Sequence, residues 1–159
     1  MITFIGIDLG NKGAITTCKV LPIGKPVFEI YPFYCHHNEE TRLRTITENE
    51  LYDLFLKICT SAGQIFCTIE HPVFMPLNGK KAIASLHENF GLVKGMMIGL
   101  GVNNFWLPKP VTWKKVIDAH GNDKSEMYLK AKKYTKHLKL NTDTADSTLI
   151  CMAGKKYFS

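Results

Sequence analysis

Four carboxylates stand where a folded chain could use them together. Asp8 ends the apolar run Ile2 to Ile7 and is followed by Leu9 and Gly10. Glu70 closes a second apolar run, Ile65-Phe66-Cys67-Thr68-Ile69, and Asp143 and Asp146 open the last helical stretch. A carboxylate at the end of a buried strand must be solvated, paired or bound to a metal. Asp143 and Asp146, three apart, share one face of a helix. The helix dipole also favours acids in a first turn, so this pair alone decides little; Asp8 and Glu70 strengthen it. Four carboxylates in proximity repel and raise each other's pKa values unless cations are present. Hard oxygen ligands in that number suit Mg²⁺ or Mn²⁺ rather than zinc, and no Cys/His set competes. Two such ions about 4 Å apart can activate a water and stabilise the leaving oxygen of a phosphodiester. That chemistry needs no covalent nucleophile, and the chain shows no Ser/His/Asp or Cys/His arrangement. The expectation is a metal-dependent nuclease.

The elements that would position these groups can be read in order. Ile2 to Ile7 is a short β-rich run stopped by Asp-Leu-Gly, hence a core strand. Asn11-Lys12-Gly13 is a turn, Ala14 to Val20 returns antiparallel, and Val27 to Tyr31 is a third strand, completing a meander. Tyr31 to Arg44 lacks clear periodicity; its adjacent His36 and His37 point apart on a loop and make a poor metal pair. Thr47-x-x-Glu50 is a capping box, followed at helical spacing by Leu51, Leu54, Phe55, Ile58 and Cys59. Gly63 is the expected C-terminal cap. Gln64 to Glu70 is then a buried strand, and the strand-helix-strand unit predicts that it lies parallel to the first. Adjacent parallel strands ending at one edge bring Asp8 and Glu70 close together, at the edge where open sheets bind ligands.

A long helix follows from Ala82 to about Leu100. Its glycines at 91, 95 and 99 predict close approach to the sheet or a partner helix. Asn103 to Leu107 is a fifth short strand, Thr112 to Ala119 and Asp123 to His137 are helices, and Asn141 or Thr142 caps the final helix. The order βββαβαβα predicts a mixed five-stranded sheet, three strands in an antiparallel meander plus parallel strands, flanked by helices, in one domain over 1–159.

Composition agrees. The chain has 159 residues, 45% of them hydrophobic and 21% charged, ordinary globular values. Residues 1–79 carry six basic and eight acidic side chains, and residues 80–159 carry fourteen lysines and six acids. A basic half beside an acidic cluster suits a nucleic-acid enzyme, lysines holding phosphates and carboxylates a metal; a solvated lysine-rich surface is the alternative. Five cysteines without C-x-x-C spacing predict a reducing compartment. No signal-type segment opens the chain, and its longest apolar stretch is too short to span a bilayer. An intracellular protein without membrane association is expected.

Ile5-Gly6-Ile7-Asp8-x-Gly10, then Ile69-Glu70 with Phe74 following, then Asp143-Thr144-Ala145-Asp146-Ser147, together resemble the RuvC family of Holliday-junction resolvases, most closely its phage-encoded branch. The resemblance runs over most of the chain and is weakest from Pro32 to Leu51. It implies an RNase H-like fold and a homodimer. It also implies a four-carboxylate metal site at Asp8, Glu70, Asp143 and Asp146, with two Mg²⁺ or Mn²⁺ ions. The implied partner is branched DNA, four-way junctions above all, each subunit cutting one of two opposed strands. For a phage-encoded member the compartment is the cytoplasm of a bacterial host. The family's basic residues match Lys114 or Lys115 of Thr112-x-Lys114-Lys115, and Lys124. Phe74 matches the aromatic that meets bases near the crossover, where stacking is sequence-tolerant. The implied dimer interface is the helix from Ala82.

Two other readings share these residues. The opening motif also looks like the first phosphate motif of actin, Hsp70 and sugar-kinase ATPases. Those proteins need a paired domain and a second glycine-rich segment that this chain lacks. An RNase H-like nuclease acting on forks, flaps or RNA would use the same metal chemistry.

Overall fold

A computed structural model describes residues 1–73, 79–119 and 123–159. Strands β1 (Ile2–Asp8), β2 (Lys12–Val20) and β3 (Val27–Tyr34) form the antiparallel meander. After helix α1 (Glu48–Thr60), strand β6 (Gln64–Ile69) pairs parallel to β1, and β7 (Asn104–Trp106) pairs parallel to β6. The sheet order is β3-β2-β1-β6-β7, the mixed sheet the sequence predicts. The remaining elements are a short hairpin, β4 (His36–His37) with β5 (Arg44–Thr45), and four helices: α2 (Lys80–Gly99), α3 (Pro110–Val116), α4 (Lys124–Tyr134) and α5 (Thr142–Phe158).

Side chains alternate across a strand, so each face of the sheet takes every second residue. Ile5, Ile7, Ile15, Cys67 and Ile69 pack with Leu51, Phe55 and Ile58 of α1 and Val93 and Met97 of α2. The opposite parity, Phe4 and Cys18, packs with Cys151 of α5. A further apolar cluster joins α5 to α3 and α4 through Trp113, Met127, Ala131, Leu149, Ile150 and Ala153. Alternation therefore commits Phe4, Gly6 and Asp8, and likewise Phe66 and Thr68, to the face covered by α5. No helix among the described residues is long and apolar enough to cross a membrane.

Two glycines set how closely α5 lies on that face. A Cβ at Gly6 would stand 2.2 Å from the backbone nitrogen of Cys151, and one at Gly154 would stand 1.9 Å from Thr68 Oγ1. Thr16 Oγ1 and Ser147 Oγ share a buried 2.8 Å hydrogen bond that pins the helix further. The opposing atom at Gly6 is backbone, so Gly6→Ala must lift α5 off the sheet. Such overpacking destabilises by about 1–3 kcal/mol or more. A lowered melting temperature is expected; an unchanged one would show that the helix is not seated this tightly.

Local readings of the sequence need correcting at four places. Thr47 is the N-cap of α1 but makes no side-chain cap hydrogen bond, so the capping box does not form. Helix α1 ends with Ser61 as its cap, two residues before Gly63. The stretch from Tyr31 to Arg44 is not an irregular loop: β3 runs on to Tyr34, and His36 and His37 pair with Thr45 and Arg44. Finally, a Cβ at Gly91, Gly95 or Gly99 would meet nothing within 4 Å among the described residues. These glycines face open space, not the sheet.

Candidate active site

The three elements that deliver the acids end at one place. Glu70 N donates to Ile7 O at 3.3 Å, so the parallel pairing of β1 and β6 continues to their C-terminal ends and sets Asp8 beside Glu70. Both carry the parity of the α5-facing side. Helix α5 starts over the same edge. Asn141 caps it by accepting from Thr144 N at 2.8 Å, and Thr144 Oγ1 accepts from Asn141 N at 3.1 Å. That reciprocal cap fixes the first turn, which holds Asp143, and with it Asp146 one position beyond the buried Ala145.

Electrostatic coupling links three of the acids. Burial pushes the Asp8 carboxyl up to about 7, and the charges of Asp146 and Glu70 add to the rise; the hydrogen bond from Gly10 N and the charge of Lys124 oppose it. Burial also raises Glu70, with Asp146 adding, while the Trp113 hydrogen bond and Lys114 pull it down. Asp146 is raised by burial and lowered by Lys114 and Lys124. Asp8, Glu70 and Asp146 thus form one interacting set, attended by Lys114 from α3 and Lys124 from α4. Asp143 is partly buried in the first turn of the same helix.

Two hydrogen bonds orient the set. Gly10 N donates to Asp8 Oδ1 at 3.0 Å, and Trp113 Nε1 donates to Glu70 Oε2 at 2.5 Å. The reading Thr112-x-Lys114-Lys115 skipped Trp113, treating it as a spacer. Its signal was available: a Trp one residue from a site lysine must bury its ring and find an acceptor for its N–H. Lys114 is partly buried beside the acids while Lys115 is exposed. Helical geometry turns the two lysines to different surroundings, and the one felt by Glu70 and Asp146 is Lys114. Lys124 is exposed at the start of α4, next to the N-cap Asp123. Phe74 lies outside the described residues.

A cavity of about 490 Å³ opens against the acids, lined by Asp8, Gly10 and Glu70 and walled by Pro72, Val73 and Lys109. Lys109, between two prolines in the sequence, is a cation at this wall that the sequence reading did not single out. Among the described residues no group of three or more His, Cys, Asp or Glu is gathered to hold a metal ion. The donor chemistry nevertheless fits a hard divalent cation: oxygen-only ligands, partly buried, each penalised for carrying charge without a counter-ion. Gly10 and Trp113 hold two of the carboxylates where they are, and the remaining gathering would have to come from the cation.

The raised Asp8 pKa has a consequence for stability. Its ordinary value is 3.8 and its folded value about 7, so the native state holds more protons than the unfolded one between those limits. Stability of the metal-free protein therefore falls as pH rises through that window. Melting in EDTA at pH 5 and pH 8 should show the lower midpoint at pH 8, and Asp8→Asn should remove much of the difference. A variant that keeps the full difference would contradict this.

The fold is RNase H-like, with an acidic set at the C-terminal edge of two parallel strands. No protein-family model matches the sequence, and no curated protein does. Solved structures do. The chain is similar to Thermus thermophilus RuvC, with a TM-score of 0.64 and 14% identity over 99% of this chain and 94% of that one. It is similar also to T. thermophilus RuvC in complex with Holliday junction substrate, with a TM-score of 0.68 and 15% identity over 99% and 95%. The chain has the RuvC fold over nearly its full length.

Proposed function

We propose that this chain is a single-domain, structure-selective endodeoxyribonuclease that resolves four-way DNA junctions as a homodimer, by metal-dependent phosphodiester hydrolysis. One observation carries the reading: Asp8, Glu70 and Asp146 come from β1, β6 and α5 of a RuvC fold to one edge, with Lys114 and Lys124 beside them. When bound, divalent cations supply Lewis acidity and a reactive water. Asp8, Glu70 and Asp146 would hold them, with Asp143 completing the set from the same helix face. Lys114 and Lys124 would balance the negative charge of the DNA strand at the acids. Gly10 N and Trp113 Nε1 hold the carboxylate oxygens in place before substrate arrives, which removes part of the ordering cost.

The homodimer is supported by α2, whose glycines leave an open surface and whose Ile98 is 51% exposed. Phe74, four residues after Glu70 in the sequence, is the proposed stacking residue for a base at the crossover. The resemblance of the motifs is to a phage-encoded branch, which would act in the cytoplasm of a bacterial host. The test is a labelled immobile four-way junction beside a fork and linear duplex. Paired nicks on opposed junction strands, with Mg²⁺ and not with EDTA, are expected. Equal cutting of forks would make it a general branched-DNA nuclease, and no cleavage of any DNA would overturn the proposal.

Lys124→Ala should weaken junction binding and reduce the slope of log affinity against log salt by about 0.7–0.9, the effect of one phosphate contact. An unchanged slope would remove Lys124 from the DNA path.

A further inference from the structure

A second cavity, about 650 Å³, adjoins the first and shares Gly10 and Leu86 with it. Its charged lining is basic: Arg42, Arg44 and Lys81, with His37 beside them. All four are exposed, so a polyanion can reach them. The two arginines and His37 come from the hairpin, the part of the chain where the sequence resemblance is weakest, and Lys81 comes from the first turn of α2.

The hairpin is fixed in place without using its charges. Ser85 Oγ accepts from Arg44 N at 3.0 Å, Asn89 Oδ1 accepts from Ile46 N at 3.3 Å, and Asn89 Nδ2 donates to Arg44 O at 3.2 Å. Ser85 and Asn89 are both buried in α2, and a buried polar side chain needs such partners. They take the backbone of β5, leaving the guanidinium of Arg44 to the cavity. The hairpin's other end is closed by Asn38, whose N–H donates to Leu43 O at 2.8 Å and whose Oδ1 accepts from Glu40 N and Thr41 N, each at 3.0 Å. Arg42 follows with φ of 56°, a backbone state that a β-carbon makes unfavourable. Among the described residues neither arginine nor Lys81 is in an ion pair. The hairpin's acids, Glu39 and Glu40, stand at its turn and do not line the cavity.

Like charges on a rigid frame repel one another unless an anion lies between them. Arginine forks match phosphate oxygens, and lysine adds a point charge. We propose that this basic cavity seats the DNA phosphates that continue along the strand held at the carboxylates. The inference rests on the nuclease reading and adds to it a second, separately built anion site. The hairpin then sets the direction in which the strand leaves the acidic edge.

The experiment measures binding of a labelled four-way junction across a NaCl series in EDTA, where no cutting interferes. Wild type is compared with an Arg44→Ala/Lys81→Ala double variant. The backbone bonds of residue 44 survive truncation, so the hairpin should stay docked; if the melting temperature falls, Arg44→Gln/Lys81→Gln is used instead. The expected result is weaker binding and a salt slope smaller by about 1.4–1.8, two phosphate contacts. The Mn²⁺-binding isotherm at the carboxylates should stay unchanged. A folded variant with wild-type affinity and slope overturns the cavity as a phosphate site while leaving the nuclease reading intact. A wild-type protein that neither binds nor cuts DNA overturns both.

Discussion

Asp8→Asn and Glu70→Gln should each abolish junction cleavage while leaving junction binding largely in place. Both changes keep shape and remove one charge. An Asn at 8 still offers an oxygen to Gly10 N, and a Gln at 70 still offers one to Trp113 Nε1, so the local frame survives. What is lost is a hard, anionic ligand. Metal-supplied charge stabilisation contributes several kcal/mol to such transition states, so the rate should fall on the order of 10³-fold or more. Stability should move the other way. Burial and the charges of Asp146 and Glu70 penalise ionised Asp8, and neutralising it removes that repulsion from the metal-free protein. Lost activity with an equal or higher melting temperature is the signature of a functional carboxylate. Binding that disappears together with cleavage, and a lower melting temperature, would mean that these acids hold the fold together instead.

Trp113→Phe should give the second largest effect. Trp113 is 1% exposed, at the centre of the cluster that joins α3, α4 and α5. Phenylalanine keeps most of that packing and deletes the donor to Glu70. Loss of an outer-shell partner typically costs 10–100-fold in metal affinity or activity. The Trp113 hydrogen bond is the largest influence holding the Glu70 carboxyl down against burial. Without it Glu70 rises further, so the acidic limb of the pH–rate profile should shift upward and more Mg²⁺ should be needed for half-maximal rate. A merely structural tryptophan would lower stability and move neither. The proposal makes Trp113 a positioning residue, and the paired shift in pH profile and metal requirement is the readout that tests it.

What the sequence made legible, and what it hid, follows from the range of the interactions involved. β1 and β6 could be read because both are apolar runs closed by an acid, and their parallel pairing followed from crossover geometry. The cap of α5 could be read because Asn141 and Thr144 contact each other locally. The box at Thr47 was a matching local pattern that does not form, and the chain just before it is held instead by a long-range bond from Ile46 N to Asn89, forty-three positions away. The hairpin was missed for the same reason: its strands are two residues each and are held by α2 rather than by an apolar alternation of their own. Among the site residues, the acids announced themselves by position, but Trp113 becomes a partner of Glu70 only once α3 folds across the sheet edge. The choice between Lys114 and Lys115 likewise needed the rotation of a helix, which spacing alone does not supply. The glycines of α2 show the converse case. Of the two neighbours their regular spacing suggested, the sheet or a partner helix, the sheet is not the one they approach, whereas Gly6 and Gly154, which have no such spacing, are pressed against other elements.

The most direct measurement is a titration of Mn²⁺ into the metal-free protein, followed calorimetrically, for the wild type and for Asp8→Asn. The carboxylates are proposed as a metal centre, so wild type should bind with saturation, more tightly at pH 8 than at pH 6 because Asp8 must give up a proton held to about 7. Asp8→Asn should bind at least tenfold more weakly. Identical isotherms for the two proteins would contradict the account, since a cation indifferent to Asp8 is not held at this edge of the sheet.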